Sequence, residues 1–305
     1  MTAPRRDTRG IVDARGLLTQ VRFRRRLPAA PLRPYVEHYW LIDWDLAEPY
    51  ATHVVPHPSV NVVFQRYADR RGFGEVAGVG LELFSQKLVG RGRVCGVQFR
   101  PGGFRPFAPG RPVTDWTGRR LPLDAVFGSG ERPGCRADRT EGSVGRAGWD
   151  AVRPEGDEGD AFRPDGCAVA HGVLEPADED ARVAALDAFL TPLLRGGPRV
   201  LEQAELAVRL ADRIRRDRTI RRVAEFARDE GMSVRALQRL FAGYVGVSPK
   251  WVLLRHRVHE ALERAASGAE ADWAAVAAEL GYSDQAHLIR DVTATVGVSP
   301  TAYGR

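Results

Sequence analysis

One structural phrase is written twice in the last third of the chain, and it restricts the fold more tightly than anything else in the sequence. The first copy runs Thr219-Ile-Arg-Arg-Val-Ala-Glu-Phe-Ala, a turn at Gly231-Met232, then Ser233-Val-Arg-Ala-Leu-Gln-Arg-Leu-Phe241. The second runs Asp272-Trp-Ala-Ala-Val-Ala-Ala-Glu-Leu, a turn at Gly281-Tyr282, then Ser283-Asp-Gln-Ala-His-Leu-Ile-Arg290. Each is a short helix of apolar period, a glycine where the chain turns, a serine suited to cap a helix, and a second helix with an apolar stripe. The same words follow both, Gly246-Val-Ser-Pro249 and Gly297-Val-Ser-Pro300. A repeat of this kind specifies one supersecondary unit used twice, here a helix-turn-helix.

The outward residues of those second helices suggest a chemistry. In the first copy Ser233 is placed to accept from a backbone N–H of the first helical turn. Leu237, Leu240 and Phe241 form the inward stripe, and Arg235, Gln238 and Arg239 fall on the opposite face. In the second, Ser283 is the expected cap, Leu288 and Val292 face inward, and Gln285, Ala286, Ile289 and Arg290 face out. Arginine and glutamine are the side chains that pair bidentately with guanine and adenine edges in the major groove. Ser248-Pro249 starts a linking helix that runs to about Ala266, with Leu254, Val258, Ala261, Leu262 and Ala265 as its packing stripe. A rod of about 17 residues spans roughly 25 Å, which holds two recognition helices about one DNA turn, ~34 Å, apart. Exposed arginine and glutamine also describe an ordinary solvated helix; the duplication and the caps favour the DNA reading. The charge balance is modest, with 12 Lys/Arg against 10 Asp/Glu from Arg218 onward.

The chain has 305 residues, room for two domains, with 44% hydrophobic and 28% charged residues and a formal net charge of +6. Three scattered cysteines, Cys95, Cys135 and Cys167, argue against a disulfide framework or a cysteine-rich zinc site and suit a reducing cytoplasm. No apolar run approaches the ~20 residues of a membrane span, and no signal peptide is expected.

Along the whole chain, five segments are expected. Residues 1–27, rich in arginine, read as a disordered tail, with a basic arm that touches nucleic acid as the sharper alternative. Residues 28–127 are rich in aromatic and β-branched residues between Gly and Pro turns, as in Tyr35-Val-Glu-His-Tyr-Trp-Leu-Ile-Asp-Trp44, and predict a mainly β barrel or sandwich. Residues 128–172 read as a low-complexity insertion. Residues 173–216 predict two connecting helices, the first capped at Ala177-Asp178, and 217–305 the tandem domain. The predicted class is therefore α+β multidomain, a β-rich sensor-like domain followed by an all-α domain with two helix-turn-helix units. His38, His53 and His57 invite a metal reading, but they lack the companion ligands a metal needs, and neither metal nor cofactor is expected.

Gly231-Met-Ser-Val-Arg-Ala-Leu-Gln-Arg-Leu-Phe241 with Gly246-Val-Ser-Pro249, and Glu279-Leu-Gly-Tyr-Ser-Asp-Gln-Ala-His287 with Gly297-Val-Ser-Pro-Thr-Ala-Tyr303, closely resemble the AraC/XylS family of bacterial transcription regulators. The resemblance implies a seven-helix DNA-binding domain in which Arg235, Gln238 and Arg239, and then Gln285 and Arg290 with His287 close by, match base-contacting positions. The family usually has Phe where Leu288 and Val292 stand and a basic residue in place of Thr293, which predicts a second unit more loosely packed, or weaker on phosphate, than the first. Leu32-Arg-Pro-Tyr-Val-Glu-His-Tyr-Trp40 and Gly90-Arg-Gly-Arg-Val-Cys-Gly-Val-Gln-Phe-Arg-Pro-Gly-Gly-Phe104 resemble the N-terminal domain of a subset of such regulators. The expected function is that of a cytoplasmic, nucleoid-associated, sequence-specific regulator of transcription. Double-stranded DNA is its partner; RNA polymerase, a small-molecule effector and a second copy of the chain are further candidates. The competing expectation is an enzyme, a metal-dependent cupin-like domain fused to a DNA-binding module.

Overall fold

The computed structural model describes residues 10–68, 70–128, 164–266, 272–297 and 299–300. The start of the expected tail, 1–9, and most of the expected insertion, 129–163, with Cys135, lie outside the described residues.

Six strands make one antiparallel sheet: β1 (Val21–Arg26), β2 (Val36–Val54), β3 (Asn61–Tyr67), β4 (Phe73–Ala77), β5 (Phe84–Phe99) and β6 (Arg120–Pro122), in the order β1-β2-β5-β3-β4-β6. The expected barrel or sandwich is thus a single sheet, held by the 19-residue β2 and the 16-residue β5, which pair along nearly their whole length. The expected disordered tail is replaced, from residue 10 on, by helix α1 (Ala14–Gln20) and strand β1. α1 is capped by Asp13, which accepts from the Gly16 N–H, and its Leu17 is buried. α2 (Leu123–Phe127) follows the last strand, and α3 (Pro164–Leu174), α4 (Glu179–Leu190) and α5 (Pro198–Arg216) come next. α3 begins inside the stretch expected to be an insertion, 128–172, and runs two residues past its end, with Ala170, Val173 and Leu174 burying its inner side.

Strand side chains alternate between faces, and the register sorts them. On one face Tyr39, Val97 and Val62 form a row, and Leu41, Cys95 and Phe64 the next. All six are fully buried beneath helices, α3 and α4 among them. Phe64 meets Phe189 of α4 edge to face at 5.4 Å, and the Tyr39 hydroxyl donates to Asp187 of α4 at 2.6 Å. Burial and that hydrogen bond together push the Tyr39 hydroxyl far up.

Two residues further along, the same face carries Asp43, and three guanidiniums converge on it. Arg93 approaches at 2.6 Å, Arg24 at 2.7 Å and Arg182 of α4 at 3.2 Å. Arg182 is 2% exposed. Arg22, Arg24 and Arg26 alternate along the helix side of β1 and meet Glu179 and Asp180 at the start of α4. These three arginines pair with carboxylates and clamp a helix to an edge strand. Burial alone would raise the Asp43 carboxyl. The Arg93 hydrogen bond and the charges of Arg182 and Arg93 outweigh it and hold the group below its ordinary range.

Asp43→Asn leaves a buried arginine without its counter-charge. It should cost on the order of 2–3 kcal/mol, less than the ~3–5 of a fully buried pair because Asp43 is partly solvated. A carboxyl held low stabilises above its unfolded pKa of ~3.9, and that contribution fades as pH falls through the folded value. Denaturant midpoints of wild type and Asp43→Asn should differ clearly at pH 7 and draw together only as pH falls below about 4.

Candidate nucleic-acid interface and sheet cavity

Among the described residues five further helices follow: α6 (Val223–Asp229), α7 (Val234–Tyr244), α8 (Pro249–Ala266), α9 (Trp273–Glu279) and α10 (Gln285–Val296). α6 turns into α7 through Gly231, at φ +66°, and α9 turns into α10 through Gly281, at φ +75°. Both sit in the left-handed region that glycine enters without a Cβ penalty. Ser233 caps α7 by accepting from the Ala236 N–H at 3.2 Å, and Ser248 caps α8 by accepting from the Trp251 N–H. In the second unit the cap is not Ser283 but Asp284, which accepts from the His287 N–H at 2.7 Å. A carboxylate accepts more strongly than a hydroxyl at a helix N-terminus. Ser283 instead donates to Asp284. The His287 N–H and the Ser283 hydroxyl hold the Asp284 carboxyl below its usual range.

α7 buries Leu237, Leu240 and Phe241 and exposes Arg235, Gln238 and Arg239. α10 buries Leu288 and Val292 and exposes Gln285, Ala286 and Arg290. Where the resemblance leads one to expect phenylalanines, Leu288 and Val292 are fully buried against Val258, Leu280 and Tyr282, so the smaller side chains are closely covered. His287 is only half-exposed. Its ring meets Ser283 Oγ at 3.1 Å, stands near Asp291 and packs edge-on to Tyr282. The structure thus places five of the six residues on open outer faces and engages the sixth locally.

α8 is where sequence reasoning missed most. Its buried side includes Arg255 and His259, which look from sequence like a solvated face. Both turn toward the β domain. Arg255 donates to the Leu81 carbonyl at 2.9 Å and lies over the Trp251 ring. Burial lowers its guanidinium to about 10. The His259 ring stacks on His57 with centroids 4.4 Å apart. Burial first, then His57, His256 and Arg255, push His259 far below its ordinary value. Arg257 ties the two units together by donating to the Gly281 and Arg221 carbonyls and lying over Tyr282. The first unit docks as well, through Arg105 to the Gly243 carbonyl and Thr117 to the Gly246 carbonyl at 2.7 Å.

The other face of the sheet lines a cavity of about 260 Å³. Its floor follows the register. His38, Gln98 and Asn61 form a polar row across β2, β5 and β3; Trp40, Gly96 and Val63 come next, then Ile42, Val94 and Gln65, and last Trp44, Gly92 and Tyr67. Ile11 and Leu17 from the N-terminal segment contribute to the walls, as do Pro56 and His57. His57 is therefore shared between the cavity and α8. Of the three histidines with a metal reading, His38 lines the cavity, His53 meets Ser85 Oγ at 2.8 Å and His57 stacks on His259. Among the described residues no group of three or more His, Cys, Asp or Glu side chains could hold a metal ion.

Asp284→Ala should lower the melting temperature of the full chain more than Ser283→Ala, a ranking opposite to the one the sequence repeat suggests. Paired thermal unfolding scans would show it.

Residues 226–305 match the family described as a helix-turn-helix domain, and 24–122 match one described as a domain of unknown function (DUF6597). No curated protein matches the chain. Similar solved structures include wild-type ToxT from Vibrio cholerae strain SCE256 with an unsaturated fatty acid bound, at 11% identity and TM-score 0.38, covering 87% of this chain and 93% of that one. An apo ToxT variant of the same strain gives 13% identity and TM-score 0.41, covering 87% and 96%. No described helix is long and apolar enough to cross a membrane. With two capped helix-turn-helix units behind a β domain, and the match over 226–305, the chain carries a helix-turn-helix domain over those residues and is a DNA-binding transcriptional regulator.

Proposed function

We propose that α7 and α10 enter successive major grooves on one face of a DNA duplex, and that the sheet cavity receives the small-molecule signal that controls them. The observation that carries the first half is the repeated partition of each second helix, apolar residues buried inward and arginine and glutamine exposed outward. Arg235, Gln238 and Arg239 read base edges from the first unit, and Gln285 and Arg290 from the second. His287, engaged with Ser283 and Asp291, supports the position of α10 more than it reaches a base. The N-terminal N–H groups of the recognition helices suit phosphate oxygens and set register. α8, 18 residues long, spans about 27 Å between the units.

The second half rests on shared walls. Pro56 and His57 line the cavity, the Pro56 carbonyl lies 3.4 Å from His259 Nε2, and His57 stacks on the same ring. A ligand that shifts the 55–59 segment therefore changes the contact that holds the linking helix. A differential contact of this kind is what a ligand needs in order to bias a conformational equilibrium. The site of action is the cytoplasmic nucleoid, and a second copy of the chain and RNA polymerase are further candidate partners.

The test is a selection of bound sequences from random DNA with the full chain. Two short blocks about one helical turn apart are expected. Arg239→Ala should then cost about 1–3 kcal/mol on the selected site and relax preference at one base pair. Equal losses on selected and random DNA would remove Arg239 from the base-reading set.

A further inference from the structure

Two glycines of β5 carry the inference. Gly96 lies directly opposite Trp40 on β2, and Gly92 opposite Trp44. A Cβ built on Gly96 would stand 1.9 Å from Trp40 Cε2 and 2.1 Å from Cζ2. One built on Gly92 would stand 2.0 Å from Trp44 Cζ2 and 2.4 Å from Cε2. Each indole therefore lies across the neighbouring strand, in space that any other residue would fill. Indoles laid over a sheet present their faces, not their edges, to the cavity above. Tyr67 continues this surface, tilted against Trp44 with centroids 5.5 Å apart.

The rest of the lining narrows the occupant. The row His38, Gln98 and Asn61 closes one end with hydrogen-bonding groups. Arg25 and Arg120 also line the cavity, and no Asp or Glu does among the described residues. Such a wall disfavours a cation. A volume of about 260 Å³ falls just below the ~300–1,000 Å³ of ordinary ligand sites and suits one or two fused rings.

We infer that the cavity binds a planar aromatic molecule without a positive charge, its ring stacked on Trp40 and Trp44 and its polar group turned to His38, Asn61 and Gln98. This rests on the reading of the cavity as the signal site. Offset stacking between aromatic faces is favourable beyond the area it buries, whereas a flexible aliphatic chain gains only the burial.

The experiment is titration calorimetry of the full chain with 2-naphthol, naphthalene-2-carboxylate, decanoate and 2-naphthylmethylamine. The first two should bind at least about tenfold more tightly than the last two. Trp40→Leu keeps an apolar side chain but removes the ring, and should weaken 2-naphthol about tenfold, the scale of one lost stacking contact. Gly96→Ala should do the same by displacing Trp40, with circular dichroism confirming that both variants fold. Decanoate binding as tightly as 2-naphthol, unchanged 2-naphthol affinity in Trp40→Leu, or no binding by any of the four at millimolar concentration would each overturn the inference. The affinity of the selected DNA is measured alongside. If 2-naphthol binds with the expected Trp40 dependence while DNA affinity stays constant, the ligand class stands and the signal-site reading fails.

Discussion

The pleat of three strands, β2, β5 and β3, is the constraint on which the rest depends. Because strand side chains alternate, every residue on these strands is committed to one of two faces. One face carries Tyr39, Leu41, Val62, Phe64, Cys95 and Val97 and is sealed by helices. The other carries Trp40, Ile42, Trp44, Val63 and Val94 and lines the cavity. A shift of one residue in the β2–β5 register would move Asp43 to the cavity and Trp44 beneath α4. The Asp43 cluster guards against that slip, since its three arginines come from β1, β5 and α4 and meet only in the observed register.

The helix-side core does not end at the β domain. It runs from Leu32 and the sheet through α3, α4 and α5 to Leu237, Phe241 and Val252, so the first helix-turn-helix unit shares one hydrophobic body with the sheet. The second unit has its own cluster, built on Val258, Leu262, Leu280, Leu288 and Val292, with Val55 as its buried member from the β domain. The two units look alike in sequence and are anchored differently in space.

Much of the C-terminal half was legible because helix signals are local. A cap, a glycine and an apolar stripe lie within a dozen residues, and Ser233, Gly231, Gly281 and Leu237 do what their types suggest. The cap at Asp284 was misread because the repeat placed Ser283 opposite Ser233, while the neighbouring carboxylate accepts better. The β domain was harder to read. Trp40, Ile42 and Trp44 on the cavity face are as apolar as Tyr39 and Leu41 on the core face, so the stretch from Tyr39 to Ile42 reads as apolar on both sides, with no alternation to mark a cavity. The arginines at 22, 24 and 26 resembled a loose tail because their carboxylate partners, Glu179 and Asp180, lie more than 150 positions away. Arg255 and His259 were hidden for the same reason, since their partners at Leu81, Pro56 and His57 are remote in sequence.

The shared core also bears on where such a chain can be recombined. A cut between the connecting helices and the tandem domain, near residue 217, falls where the sequence changes texture, yet it would divide one core in two and expose Phe226, Leu237 and Phe241. The natural seam lies further on, along α8, where the second cluster begins. As a kit of exchangeable parts, the chain consists of a β domain joined through one core to its first helix-turn-helix unit, and a second unit with a core of its own.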